Sequence, residues 1–530
     1  MKIKLLAVAI TASVFIIQGC SKTDKEFKKD TQVTGIENSS GIRLNAYAVG
    51  AYGDFQLLST VNSKCAQVAD FSLQNGGTTK LASYSGEPHQ QWRLTYMGNG
   101  YFKFMNHGSG KFLQAYKYND MQVVIQNNEA NTDSQLWRLY EVSPKKYKAI
   151  SKSTGLAMSN NDNVSILQPY EAKASQIWGL NVLPYSSYRD DVVTRFFQRT
   201  TGTQAWDGNM SVKLTYGANN GKVLWVTNDE YYNQLENGRI KCYGKSVFFH
   251  KNNAALLQPA SLSWDPALTN NYFVTSNGKQ YDEEVFHDFS GKVLWPGNGV
   301  EVGSKIYVSN IQVQGLNLVG QFIGVIDQSN NTSTLLTVPG LSDQAATGRI
   351  EYSIGMVKDG GYVYNYGKNG SNVYVARFAE NTPLVWTFWN GTTWAAKAVV
   401  TTAARVLSGL PSGGINVAKV NGKYVLISHD FGFGCDGGRN FYTWTSTGPN
   451  VVFTNKKTVF KRTDYQQGHL PVFYTPIMHP DITNGKNELL VTYCVNFYGS
   501  CIPLCTGTTS EDPDGYRPKA FRVPYSMIGI

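Results

Sequence analysis

Three acidic residues stand where short apolar runs meet turn-forming residues. They are Asp207 in the run 206–209, Asp229 in the run 228–232 and Glu351 in the run 349–352. Cleaving a glycosidic bond takes one carboxyl group to protonate the leaving oxygen and another to act as nucleophile or to activate water, about 5 to 9.5 Å away. Asp207 and Asp229 are the expected catalytic pair, with Glu351 as the acid or as the group that tunes the other two. Burial and neighbours decide which carboxyl is acid and which is base, so the sequence leaves that open. Tyr231, Tyr232, Trp295, Tyr352 and Tyr474 offer stacking faces for sugar rings, and Trp206, Asn228, His429 and Asp430 complete the expected substrate contacts. Each residue also has a structural reading. Aspartate between strand and turn is ordinary turn chemistry, Glu351 could simply pair with Arg349, and His429 with Asp430 could link neighbouring sheets.

Residues so far apart meet only if repeated elements converge. Beyond Pro184 the chain consists of short strands rich in Val, Tyr and Phe, separated by Gly and Asn turns. One strand recurs five times, at 222–229, 305–310, 362–366, 423–430 and 488–494. Each copy follows a shorter strand and a turn, at 211–215, 299–302, 352–358, 414–420 and 474–479. A repeat of about sixty to eighty residues fits one four-stranded sheet, and five such sheets arranged radially leave only short, protected edges. The expectation is a five-bladed β-propeller over 184–530, with the recurring strand second from the axis. Antiparallel pairing then returns Asp229 to the end of the blade where Asp207 lies.

Upstream, over 41–183, a different repeat closes three times on the same spacing: Gln90-Gln91-Trp92, Gln135-Leu136-Trp137 and Gln176-Ile177-Trp178. These QxW motifs resemble the ricin B-type β-trefoil. The resemblance implies that each tryptophan fills a shared core while each glutamine ties neighbouring backbone. In that family an acidic residue early in each lobe orients the sugar. The matching positions here are Gln67, Gln114 and Met158, none of them acidic. Gln114, with Tyr116 as a stacking face, is the best candidate for glycan binding in the trefoil; the alternative is a spacer.

Propeller glycosidases of the arabinanase and xylosidase type carry acids on blades one and two and a glutamate on blade three. Blade two here opens with Trp295-Pro296-Gly297-Asn298, without an acid. The segment from Trp206 to Asp229, with Asp207-Gly208 and Leu224-Trp225, more closely resembles propellers once classed as of unknown function that now include endo-D-arabinanases. The runs 474–480 and 489–493 also recur in such proteins. The resemblance implies an extracellular glycoside hydrolase acting on arabinan-like or related furanosyl polysaccharide. The alternative is a non-catalytic glycan-binding surface lipoprotein. A polysaccharide lyase, which would want a cationic cleft, or an interaction scaffold is the remaining reading.

Composition agrees with an all-β chain, an N-terminal β-trefoil plus a C-terminal five-bladed β-propeller: of 530 residues, 16% are charged, and there are 51 Gly and 32 Tyr. The formal charge of +10 is not concentrated beyond the stretch from Lys22 to Lys29, which argues against nucleic acid. No GxSxG, HExxH or P-loop motif is present, which argues against serine hydrolases, zincins and NTPases. Lys2 and Lys4, an apolar run from Leu5 to Ile17, and Gly19 before Cys20 resemble the lipobox of bacterial lipoproteins. That implies a signal peptide over 1–20, lipidation at Cys20, a flexible tether over 21–40, and an outer-membrane anchor facing the periplasm or the cell surface. The remaining six cysteines suit structural bridges or buried thiols better than a zinc site, since neither paired CxxC nor nearby His ligands occur. No metal site and no required cofactor are expected, a structural calcium ion is left open, and the expected partners are polysaccharide or oligosaccharide and the membrane, with the protein a monomer.

Overall fold

The computed structural model describes residues 52–241, 251–276, 278–280, 284–288, 290–430, 434–496 and 512–530. The expected signal peptide, lipidated Cys20 and tether lie outside the described residues, as do Cys242, Cys501 and Cys505.

Twelve strands from Tyr52–Ser59 to Trp178–Leu183 join in one closed sheet with threefold internal repetition, a β-trefoil. The QxW motifs explain it atom by atom. Trp92, Trp137 and Trp178 are buried in one shared cluster. Each indole N–H donates to a backbone carbonyl one hairpin earlier, Ala66, Leu113 and Met158, at 2.9, 3.0 and 2.9 Å. Each glutamine closes its loop: Gln90, Gln135 and Gln176 accept from the backbone N–H of Ser85, Ala130 and Glu171 and donate to the carbonyls of Ser83, Asn128 and Pro169. Trp137→Ala is therefore expected to cost about 3–5 kcal/mol through the cavity it leaves. Gln176→Ala should cost about 1 kcal/mol by removing two partly buried hydrogen bonds to the loop backbone. Urea unfolding monitored by tryptophan fluorescence measures both.

Five further sheets form the propeller. Their innermost strands are Thr203–Lys213, Val293–Val302, Glu351–Asp359, Ile415–Val420 and Val472–His479, each packed against the next around the ring. Each pairs antiparallel with the strand that follows it, Val223–Tyr232, Lys305–Gln314, Tyr362–Asn369, Lys423–His429 and Glu488–Asn496. These are the recurring strands of the sequence, second from the axis as expected. Tyr188–Arg189 pairs with Lys519–Pro524, so chain segments from both ends of the propeller close the last blade.

In blades one and two the innermost strand starts well before the Ser211 and Gly299 expected from sequence. Asp207 and Trp295 thus lie within strands instead of ahead of them. The cause in blade one is a pair of register shifts on either side of Gly208 that lengthens the strand past its regular pairing. Gly208 has φ 74°, and a Cβ there would stand 2.8 Å from the backbone nitrogen of Asn228.

Trefoil and propeller meet through a buried charge cluster. Arg93 grips Asp54 of its own domain through two contacts, at 2.7 and 3.1 Å, and Glu488 of the last blade at 3.2 Å. Its guanidinium lies over the rings of Tyr185 and Tyr188, whose hydroxyls donate to Glu488 at 2.6 and 2.8 Å. Although burial opposes ionisation, His107 and Arg93 hold the Asp54 carboxyl far below the usual carboxylate range.

Cys65 and Cys494 are free, buried thiols. Cys435 is disulfide-bonded. Among the described residues, no three His, Cys, Asp or Glu side chains gather into a metal site.

Candidate functional site

Asp207 and Asp229 come together on adjacent strands of blade one. Trp206 pairs with Glu230 and Gly208 with Thr227, and the Asp229 backbone N–H donates to Asp207 Oδ1 at 2.9 Å. The other Asp207 oxygen accepts two phenol hydroxyls, Tyr474 at 2.7 Å and Tyr516 at 3.0 Å, both from the last blade and its approach. Tyr474 in turn accepts from Asn496 Nδ2 at 3.2 Å. Asp229 Oδ1 accepts the indole N–H of Trp295, on blade two, at 2.9 Å. Three blades thus hold the pair.

The electrostatics follow from this setting. Asp207 is only 9% exposed, and burial together with the neighbouring Asp229 charge pushes its carboxyl up to about 7, against the three donors that favour its ionised form. Asp229 is less completely covered. Burial pushes it up to about 6, with the Trp295 donor opposing. Near neutral pH the two raised carboxyls therefore share one proton between them.

The other expected contacts divide. Glu351, on the innermost strand of blade three, has partners of its own: its oxygens meet Ser353 Oγ at 2.9 Å and Lys368 Nζ at 3.5 Å. Asn228, Tyr232 and Trp295 remain partly exposed along the same strand ends. Four expected sugar contacts are instead core residues: Trp206 at 0%, Tyr231 at 2%, Tyr352 at 2% and His429 at 3% exposure. Neighbouring side chains on a strand point to opposite faces, so Trp206 turns away from the face of Asp207. It packs edge-on to Phe197, with its N–H on Asn209. Tyr231 buttresses Tyr516, ring centroids 5.2 Å apart. Tyr352 packs on Phe388. His429 contacts the Asp430 carbonyl and stacks near Phe473, and the Asp430 carboxylate is taken up by the backbone of Arg439 and Asn440 and by Tyr442. Tyr474, partly exposed, also donates to Asp207. In the trefoil, Gln114 accepts from Gln135 at 3.1 Å, as Gln67 does from Gln90 at 2.9 Å, so both are tied into the QxW network; Tyr116 is exposed. Sequence reasoning missed Tyr516, which carries no recognisable local signal.

Residues 190–525 match the model of a family described as Domain of unknown function (DUF5005), and 45–127 and 88–172 match Ricin-type beta-trefoil lectin domain-like. No curated protein matches the chain. Among solved structures, a "putative hydrolase from Bacteroides ovatus ATCC 8483" is 19% identical with TM-score 0.48, covering 64% of this chain and 90% of that one. The designed threefold symmetric protein ThreeFoil is 30% identical with TM-score 0.24, covering 25% and 99%. The ricin B-like lectin of Macrolepiota procera, in complex with lactose, is 12% identical with TM-score 0.23, covering 26% and 99%.

Proposed function

Since the chain belongs to the family described as Domain of unknown function (DUF5005), whose matched span holds both aspartates, we propose that it is a glycoside hydrolase acting outside the cell on arabinan-like or related furanosyl polysaccharide. The observation that carries this reading is the pair itself: two carboxyls from adjacent strands, fixed by donors from three blades, raised to about 7 and about 6. Hydrolysis at neutral pH wants one proton-bearing and one ionised carboxyl flanking the scissile bond. Asp207 supplies the proton to the leaving oxygen, and Asp229, the more accessible of the two, is the base or nucleophile. Trp295, Tyr232 and Asn228 line the approach. Glu351, held by Ser353 and Lys368 on blade three, is the third carboxyl of this reading, the group that tunes the other two. The trefoil is an accessory module, and Cys20 is the lipid attachment that keeps the protein at the outer membrane. The test is release of reducing ends from a panel of furanosyl and pyranosyl polysaccharides. Binding without new reducing ends would favour the alternative, a glycan-capturing lipoprotein.

Tyr516 offers a finer check. Its hydroxyl lowers the Asp207 value, so Tyr516→Phe should raise the alkaline limb of the pH–rate profile by about 1–2 pH units, the worth of one charge-assisted hydrogen bond. An unmoved limb would detach that limb from Asp207.

A further inference from the structure

Trefoil and propeller leave a cleft of about 790 Å³ where they meet, and neither Asp207 nor Asp229 lines it. Its trefoil wall is the loop from Asp70 to Asn75; its propeller wall combines the helix Asp191–Phe196 with the stretch from Asp464 to Gly468. Charge here is compensated internally. Asp191 accepts from Lys111 at 3.1 Å and from Arg195 at 2.9 Å, Asp464 pairs with Arg189, and Asp514 meets Arg517 at 3.0 Å. Lys519 donates to the Asp514 carbonyl at 2.6 Å. A charged ligand would have to compete with these pairs, of which Lys111–Asp191 and Arg189–Asp464 are buried, whereas an uncharged one leaves them intact.

What remains for a ligand is amide and aromatic surface. Gln74, Gln466 and Gln467 face the cleft from both walls. Phe71 and Tyr465, one from each wall and both partly exposed, have ring centroids 4.9 Å apart. Phe71 and Asp70 have φ of 54° and 53°, and Gln467 opposite has 51°. Bulky L residues are strained in that region, and strain of this kind gathers at ligand clamps. Amides donate and accept at once, as hydroxyl pairs require, and aromatic surface suits the C–H faces of sugar rings. A peptide would instead look for an open strand edge or apolar pockets, and this lining is mostly polar. The lobe positions Gln67, Gln114 and Met158 are not part of it.

We propose that the cleft is a second carbohydrate site, binding a neutral oligosaccharide packed against the exposed edge of the Phe71–Tyr465 ring pair and held by amides of both domains. It stands whether or not the propeller cleaves what it binds. The test is the full chain carrying Asp229→Asn, to prevent turnover, on an array of neutral and uronic-acid-containing oligosaccharides. At least one neutral glycan should bind. That binding should fall about tenfold or more in Tyr465→Ala, which removes one ring of the pair, and in Gln74→Trp, which fills the mouth from an exposed loop. Gln114→Ala should leave it unchanged, and thermal unfolding of each variant should match the parent. No neutral glycan bound, a preference for anionic glycans, or binding that survives both cleft substitutions would overturn the proposal. So would loss in Gln114→Ala alone, which would move the site to the trefoil lobe. Reducing-end release by the unsubstituted chain, measured separately, tells failure here from failure of the hydrolase reading.

Discussion

Asp229→Asn is expected to lower kcat/KM for polysaccharide hydrolysis by about 10³-fold, and Asp207→Asn by a similar factor, the range that positioned acid–base groups supply. Neither substitution should unfold the protein, and Asp207→Asn should stabilise it above neutral pH. The sign follows from linkage. Asp207 has its folded value raised from 3.8 to about 7, so between those values the folded state keeps a proton that the unfolded chain has released. Its contribution is fully present below about 4 and is lost as pH rises through about 7. At pH 8 the folded state buries an unfavourable charge, worth about 4 kcal/mol at 1.4 kcal/mol per unit, and asparagine removes it. Buried His89 and His429, lowered by desolvation to about 4, act the opposite way: their contribution is present above the usual histidine value and is lost as pH falls toward 4. The difference between wild type and Asp207→Asn, measured by denaturant unfolding from pH 4 to pH 9, isolates the aspartate. A difference that does not grow with pH would deny Asp207 its raised value.

The second large effect is structural. Arg93→Ala is expected to cost about 3–5 kcal/mol at pH 7, because it leaves Asp54 and Glu488 buried without their shared cation. Burial works against both carboxyls, yet their partners hold them below the ordinary carboxylate range. Their stabilisation is therefore present above about pH 4 and is lost on acidification. The deficit of the variant should accordingly shrink at pH 3, read as the gap between urea midpoints. A deficit independent of pH would assign the loss to the stacking of Arg93 on Tyr185 and Tyr188 instead.

Both domains were legible because each is a repeat whose period reflects one structural unit. Three QxW motifs name three trefoil lobes, and five copies of an apolar strand after a turn name five blades. Asp207 and Asp229 were legible because antiparallel pairing of consecutive strands is local. Trp206 and Tyr352 were misread for a reason also local: each stands beside an acid on a strand, and adjacent side chains face opposite ways. Tyr516 was hidden because it reaches Asp207 only through closure of the ring, 309 residues away along the chain. Sequence periodicity carries no record of such a contact. The compensated cleft was hidden likewise, since it belongs to neither domain alone.

The central claim is that two neighbouring carboxyls with separated values cleave the bond, and the pH dependence of kcat/KM tests it most directly. A narrow bell centred between about 6 and about 7 is predicted, rising as the pair loses its first proton and falling as it loses its second. A rate that stays level from pH 4 to pH 9 would contradict the claim.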